Sequence, residues 1–280
     1  MEVKIAGVLV LYNPTHEVID NINTYITQVD KLYLIDNSSN SDFGLLLTNI
    51  SYPHKISYIS NKKNEGVAVA INRGAVLAQK DGYDWLLTMD QDSSFTNINE
   101  MLIYISQDQE SHLVGLYSPF HDTGTRVIPE ENISYVSSIM TSGNIINLKA
   151  FLKIGMTDER FFIDCIDHDL CAKFIQEHYY IKRLNFCLLK HGLGNDIKII
   201  KGKEITNHSP FRRYYITRNT LYYCEKHFCK NPVGSIKYLK SFLGNTLSCF
   251  LYEDQKKEKL KFILMGLRDY FLRRTGAMTK

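Results

Sequence analysis

Long apolar runs are missing from this 280-residue chain: the longest are the length of a β-strand, far short of the roughly 20 residues a membrane-spanning helix needs. Cysteine is sparse, and the six residues (Cys165, Cys171, Cys187, Cys224, Cys229 and Cys249) show no CxxC spacing, so they read as buried, reduced thiols. Charge of one sign is not in excess. With 33 Lys and Arg against 30 Asp and Glu the net charge is +3, so the overall balance gives no argument for nucleic acid, and no nucleic-acid partner is expected. No internal repeat or low-complexity linker is seen, and Met1 to Lys4 run straight into an apolar segment without the features of a secretory signal. The expected location is therefore the cytoplasm. With 44% hydrophobic and 22% charged residues the chain can bury a full core, as one large domain or as one domain with a helical appendage.

What is present is an alternation of short apolar runs and helical patterns over the first hundred residues, which predicts a parallel α/β sheet. Strands are expected at Ile5 to Tyr12, Leu32 to Ile35, Lys55 to Ser60 and Trp85 to Met89, with a helix from about Gly66 to Gln79. Polar or acidic residues cluster just past each strand, at the edge where open α/β sheets hold ligands. A second, mixed half of the sheet is expected from Leu113 to Tyr117 and Tyr135 to Ile139, then a helix over Asp167 to His178 and two short strands at Tyr180 to Leu184 and Cys187 to Lys190. Beyond Pro210 the pattern is helical, aromatic and basic.

Three groups carry candidate chemistry. Asp90 and Asp92 flank Gln91 after the fourth apolar run, where two carboxylates can approach a hard cation, Mg²⁺ or Mn²⁺, that neutralises a departing diphosphate. The alternative is a solvated turn or cap. Asp164, Asp167 and Asp169 surround a helix start, where a carboxylate can deprotonate an acceptor hydroxyl, or merely cap the helix. Arg213 and Arg218 with Tyr214, near Arg212, can form an anion-binding surface for a diphosphate or lipid phosphate; a solvated basic helix start is the alternative. His191 at a strand end can be a third metal ligand or a structural hydrogen bond, and Ser142-Gly143 reads locally as a tight turn. Lys256 to Arg274 alternates basic and apolar residues, as in a helix lying on an anionic membrane or one packed on its own domain.

Taken in order, these segments resemble glycosyltransferase family 2. Val10-Leu11-Tyr12-Asn13 is similar to the end of that family's first strand, Asp36-Asn37-Ser38 to its D-N-x-S turn, Asn64 to Gly74 to its N-x-G-x-A-x-A-x-N-x-G stretch, and Asp90-Gln91-Asp92 to its metal-binding motif. The resemblance implies a GT-A fold: α/β, Rossmann-like, with a mostly parallel central sheet flanked by helices and a helical C-terminal region. It places Tyr12, Asn13, Asp36, Asn64, Gly66, Asn72 and Asp90 on the nucleotide, with Asp36 reading the base. It also gives Asp90, Asp92 and His191 to the metal, the Ser142-Gly143 loop to the acceptor side, and Arg212, Arg213, Tyr214 and Arg218 to acceptor or phosphate. Phe162-Ile163-Asp164-Cys165-Ile166-Asp167 resembles the F-I-D-x-V-D of rhamnosyltransferase-like members and departs from the commoner form by Ile166 in place of glutamate. By that likeness Asp167 is the general base, with Asp164 and Asp169 supporting, although Asp164 and Asp167 can exchange roles.

The implied function is an inverting transfer of L-rhamnose from dTDP-L-rhamnose, a nucleotide-diphosphate sugar donor, to a polyprenyl-diphosphate-linked glycan acceptor in bacterial surface polysaccharide (O-antigen) synthesis. The protein would be peripheral on the cytoplasmic face of the inner membrane, with self-association left open. The expected division is a catalytic domain over 1–208, split into a nucleotide-binding half (1–95) and an acceptor half (96–208), and a helical extension over 209–280. Three rivals remain: use of another UDP- or dTDP-sugar; a haloacid-dehalogenase-type phosphatase, which also carries D-x-D after a strand; and a non-catalytic nucleotide-binding module.

Overall fold

A computed structural model describes the backbone of residues 4–278 apart from 41–42, 45–46, 48–49, 125–126, 192–196 and 201–202, and the corresponding side chains outside 191–206. It divides into two compact units, one formed by 1–158 and 170–192, the other by 159–169 and 193–280.

In the first unit, β1 (Ile5–Leu11), β2 (Lys31–Asp36), β3 (Ile56–Ser60) and β4 (Trp85–Asp90) pair in parallel in the order β3-β2-β1-β4. Every residue of β1 is buried, because alternate side chains enter different cores: Ile5, Leu9 and Leu11 on one face, Ala6, Val8 and Val10 on the other. The first face is covered by α1 (Glu17–Asn23), through Val18, Ile19 and Ile22, and by α3 (Ile98–Gln107), through Ile98, Met101 and Ile105. Burying each such side chain contributes about 1.5–3 kcal/mol. The second face is covered by α2 (Val67–Lys80), whose Ala70, Ala75 and Ala78 allow close approach. Gly74 lies against β1, where a Cβ would sit 2.3 Å from Val8 Cγ2, so this glycine is required by packing.

The sheet continues through antiparallel and parallel pairings in the order β4-β8-β6-β9-β5, with β8 at Asn144–Asn147, β6 at Val114–Asp122, β9 at Tyr180–His191 and β5 at Ser93–Phe95. The strand β7 (Ile133–Tyr135) pairs with β9, and α4 (Leu148–Lys153) and the later part of α5 (Ile166–Gln176) pack on the second face. Thus a parallel half adjoins a mixed half, as expected.

Three boundaries differ from the sequence expectation, the first being that of β6, which runs on to Asp122 beyond the expected Leu113 to Tyr117. The strands expected at 180–184 and 187–190 are one strand, β9, interrupted by an irregularity at which Pro119 pairs with Leu184 and Phe120 with Leu188. Side chains satisfy the displaced backbone there: Asn97 Nδ2 donates to Phe186 O (3.0 Å), and Leu188 N donates to Asn97 Oδ1 (3.1 Å). The strand expected over 135–139 instead ends at Tyr135.

In the second unit, β10 (Ile197–Ile200) and β11 (Lys203–Thr206) form an antiparallel pair, followed by α6 (Pro210–His227), α7 (Pro232–Tyr252) and α8 (Lys256–Phe271). Proline at the first turn and Ser209 Oγ accepting from Arg212 N (3.3 Å) set the start of α6. The helices α6 and α8 meet at Gly266, where a Cβ would lie 2.6 Å from Tyr214 O. All six cysteines are unbridged; Cys165, Cys171, Cys187 and Cys249 are buried, whereas Cys229 is exposed.

Candidate active site

Register brings the nucleotide-side residues together. Leu11 pairs with Asp36, Val10 with Asp90 and Asp36 with Ser60, so four parallel strands end at one level. Beyond them the loops are knit by side-chain amides and hydroxyls. Asn37 N donates to Leu11 O (2.8 Å), Asn37 Nδ2 to Gly66 O (3.0 Å), and Asn61 Nδ2 to Asn37 Oδ1 (2.8 Å). Asn13, at φ +46°, donates its N–H to Ser38 Oγ (2.7 Å). Asn64 Oδ1 accepts from Gly66 N (3.0 Å), and Gly66 takes φ +88°, a conformation that suits glycine, immediately before α2.

Two residues expected on the nucleotide are turned inward. Asp36 is fully buried and accepts from Ser38 N (2.8 Å) and Tyr58 Oη (2.6 Å), so its observed contacts fix the turn carrying Asn37 and Ser38. Asn72 is also buried: it donates to Thr157 O (3.0 Å) and accepts from Thr157 N (3.0 Å) and Oγ1 (2.6 Å), an internal tie between α2 and residue 157. Tyr12, by contrast, is 51% exposed at the end of β1.

Asp90 is half-buried and Asp92 exposed. Their backbone is braced from below: Asp90 N donates to Ser142 Oγ (3.0 Å), Ser142 Oγ donates to Ser93 Oγ (2.8 Å), and Gly143 N donates to Thr88 O (2.7 Å). His121 Nε2 reaches Ser142 O at 2.7 Å. Ser142 and Gly143 are buried, so the loop expected on the acceptor side supports the aspartate pair in this structure. His191 ends β9 with its backbone paired to Ser93, next in sequence to Asp92; its side chain lies outside the described residues. Among the described residues no cluster of three or more His, Cys, Asp or Glu forms a metal cage. Asp90 and Asp92 nevertheless supply hard oxygen donors, which fit Mg²⁺ or Mn²⁺ shared with substrate phosphates.

The second unit holds the other acidic cluster. Asp164, Asp167 and Asp169 lie at and before the first turn of α5. Asp167 Oδ1 accepts from His168 N (2.9 Å) and the residue is partly exposed. Asp164 Oδ1 is ion-paired to Arg212 (3.0 Å), and burial pushes its carboxyl above the usual carboxylate range although the Arg212 charge acts against that shift. Asp169 is fully buried between Lys226 Nζ and His227 Nε2, each 2.7 Å from Oδ1. The supporting acid is thus an internal ion pair.

The anion-binding surface expected from Arg213, Tyr214 and Arg218 requires correction. Arg213 is buried and ion-paired to Glu253; Arg218 is fully buried, donating to Tyr214 Oη (3.1 Å), which itself donates to Asp269 Oδ2 (2.8 Å). Burying charge requires such partners, and α7 and α8 provide them. Arg212, ion-paired to Asp164, keeps 47% of its side chain accessible.

Residues not singled out from sequence hold each unit's own cluster: in the first, Gln91, bonded to Tyr12, and Asn37 and Asn61, which bridge the loops; in the second, Asn219, which holds the segment before α5. Gln91, Asn37 and Asn219 each sit inside a segment the sequence had marked, beside the charged or aromatic residues that drew attention.

A Rossmann-like sheet ending in a bound loop network and an accessible D-x-D defines a nucleotide-using transferase of GT-A fold. The chain belongs to the family described as Glycosyl transferase family 2, whose sequence profile matches residues 8–170. It is therefore a glycosyltransferase, and the phosphatase and non-catalytic readings fall. It is 27% identical over 290 residues to the dTDP-rhamnosyl transferase RfbF of Shigella flexneri, covering 94% of this chain and 93% of that protein. The mannosyltransferase PcManGT from Pyrobaculum calidifontis, in complex with GDP-Man and Mn²⁺, superposes with a TM-score of 0.62 at 10% identity, over 98% of this chain and 88% of the other. GalNAc-T7 with UDP, GalNAc and Mn²⁺ gives a TM-score of 0.57 at 14% identity, covering 96% of this chain, which spans 58% of that larger protein.

Proposed function

We propose that this protein is an inverting rhamnosyltransferase that takes L-rhamnose from dTDP-L-rhamnose to a polyprenyl-diphosphate-linked glycan. The observation that carries the reading is the likeness to RfbF along nearly the whole length of both chains. In this proposal the loops of Tyr12, Asn13, Asn37, Asn64 and Gly66 hold the nucleoside diphosphate, with Asp36 shaping the base subsite. Asp90 and Asp92, with His191, hold a divalent cation, which is Mn²⁺ in two solved relatives of the fold. When bound, that cation supplies neutralisation of the departing diphosphate. Asp167 accepts the proton of the acceptor hydroxyl as its oxygen bonds to C1 of the sugar; the bond from C1 to the phosphate oxygen breaks with its electron pair, dTDP leaves, and configuration inverts. Asp164, Asp169 and Arg212 support that carboxylate or the acceptor phosphate. The division into a catalytic domain over 1–208 and a helical extension over 209–280 belongs to the same proposal.

The proposal also places the protein on an anionic membrane surface. No helix of the described residues is long and apolar enough to cross a bilayer. Exposed Ile236, Leu243, Leu247 and Leu251 recur on one face of α7 with Lys240 among them, and no acidic residue lies within Pro232–Tyr252. On α8, Lys257, Leu260, Lys261, Leu264, Met265 and Arg268 line a shallow groove. Leucines interleaved with lysines suit the interface of an anionic bilayer.

Donor identity is tested by calorimetric titration with dTDP-rhamnose, UDP-glucose and UDP-galactose, in Mg²⁺ or Mn²⁺ and then in EDTA. Binding of dTDP-rhamnose alone, metal-dependent in the native chain and metal-independent in Asp92→Ala, is the expected result. Preference for a UDP-sugar would replace the donor assignment.

A further inference from the structure

The segment leading into α5 is strained. Phe162, Asp164 and Cys165 take φ values of +57°, +62° and +64°, so three of four consecutive residues, none of them glycine, occupy the left-handed region. Each costs on the order of 1–2 kcal/mol, and such a run persists only where the surroundings over-determine it. The run includes Asp164 and ends two residues before Asp167.

One buried side chain holds the run. Asn219, in the third turn of α6, is fully inaccessible, and its Nδ2 donates to Phe161 O (2.6 Å) and Ile163 O (2.7 Å) and lies 3.3 Å from Asp164 O. Its orientation is not free. Oδ1 accepts from Arg218 Nε (3.0 Å), and Arg218 is itself fixed by Tyr214 Oη (3.1 Å) and by lying 5.1 Å from the centres of the Tyr214 and Tyr215 rings. A carboxamide is the group that fits, because it presents two donor hydrogens to the carbonyls and one acceptor to the arginine. Behind the same segment, Cys165 Sγ meets Tyr238 Oη (3.3 Å) and Thr220 Oγ1 (4.0 Å).

We propose that Asn219 is a positioning residue: its carboxamide, oriented by Arg218, pins the 161–165 turn and so sets where Asp167 stands to take the acceptor proton. This rests on the reading of Asp167 as the base. Arg218, read from sequence as an anion ligand, acts here by orienting Asn219.

The test is Asn219→Asp, which keeps the volume and the acceptor toward Arg218 but turns an oxygen toward three carbonyls. Two readouts are taken on the full chain. Alkylation of Cys165 by iodoacetamide, followed by peptide mass spectrometry, reports release of the turn without reference to activity; a rise of tenfold or more is expected. The transferase assay is expected to show kcat lowered about 100-fold, the effect of a small misplacement of a reacting group, with the donor KM within twofold. Adding Cys165→Gly, which accepts the left-handed φ without strain, should recover at least tenfold in kcat. Should Asn219→Asp not fold, Asn219→Ser in the Cys165→Gly chain takes its place, and kcat should still be lowered at least tenfold relative to Cys165→Gly alone. Unchanged Cys165 reactivity, unchanged kcat, or a donor KM that rises with the loss of kcat overturns the proposal. Full activity in Asp167→Asn would sink the base assignment instead, leaving the Cys165 readout to judge the clamp.

Discussion

Gln91 and Tyr12 exchange two hydrogen bonds: Tyr12 N donates to Gln91 Oε1 (2.9 Å), and Gln91 Nε2 donates to Tyr12 O (3.1 Å). A side-chain amide thereby mimics one rung of a sheet and ties the end of β1 to the loop between Asp90 and Asp92. A third bond, from Asn21 Nδ2 to Gln91 O (2.9 Å), anchors the same loop to α1. The middle residue of D-x-D is thus a fastening in this chain.

Gln91→Ala should weaken donor binding while costing the fold little. The bonds to Tyr12 are exposed, so their net contribution to stability is about 1 kcal/mol. Donor binding needs both loops held at once, and we expect its Kd to rise about 5- to 10-fold, the equivalent of that same free energy drawn on at each binding event. Calorimetry on the variant beside a thermal melt separates the two. A large drop in Tm with unchanged Kd would contradict the fastening role.

Asp167→Asn and Asp164→Asn should differ. Removing a general base lowers rates by about 10²–10⁴, and that loss is expected for Asp167→Asn with donor binding intact. Asp164 is held by Arg212 and shifted toward its neutral form by burial, so Asp164→Asn should cost less than tenfold in kcat. The reverse ranking in single-turnover assays would make Asp164 the base.

Much of this was legible in the sequence, for physical reasons that also mark where legibility stops. Ile5 to Leu11 and Leu32 to Ile35 declare themselves because strands buried on both faces are apolar throughout, and the polar residues after them mark the ligand edge. The continuity of β9 did not, because Asn185-Phe186 looks like a turn until Asn97, some ninety residues earlier, is seen to satisfy the irregularity. Arg213 read as surface because Glu253, its partner, lies forty residues on, at the end of α7. Asn72 and Asp36 have the residue types that bind nucleotides, yet fold inward to Thr157 and Tyr58; side-chain direction of that kind is settled by tertiary neighbours.

Membrane attachment should be electrostatic as well as apolar. Cosedimentation with phosphatidylcholine vesicles containing phosphatidylglycerol is expected to exceed that with phosphatidylcholine alone and to fall with added salt. Each lysine near such a surface contributes about 1 kcal/mol, so Lys257→Glu with Lys261→Glu should lower partitioning tenfold or more, and the neutral Leu247→Gln should lower it without changing the salt dependence. Binding to neutral and anionic vesicles alike would remove the charge argument.

His208 should make the second unit sensitive to mild acid. Burial, reinforced by the charges of Arg212, Arg213 and Lys259 and opposed by Glu253, pushes its imidazole down from 6.5 to about 4. In the unfolded chain the histidine protonates first, so between those values the unfolded state holds more protons and stability falls as pH falls. The contribution is complete above about pH 6.5 and is lost progressively toward pH 4, amounting to about 1–2 kcal/mol after allowance for solvent screening. His208→Gln cannot take up the proton, so melting curves from pH 7.5 to 4.5 should separate below about 6.5, the native chain losing Tm faster than the variant. Parallel curves would show that His208 takes up its proton as readily in the folded protein as in the unfolded chain, and that the charges of Arg212, Arg213 and Lys259 are better compensated by Glu253 than their spacing implies.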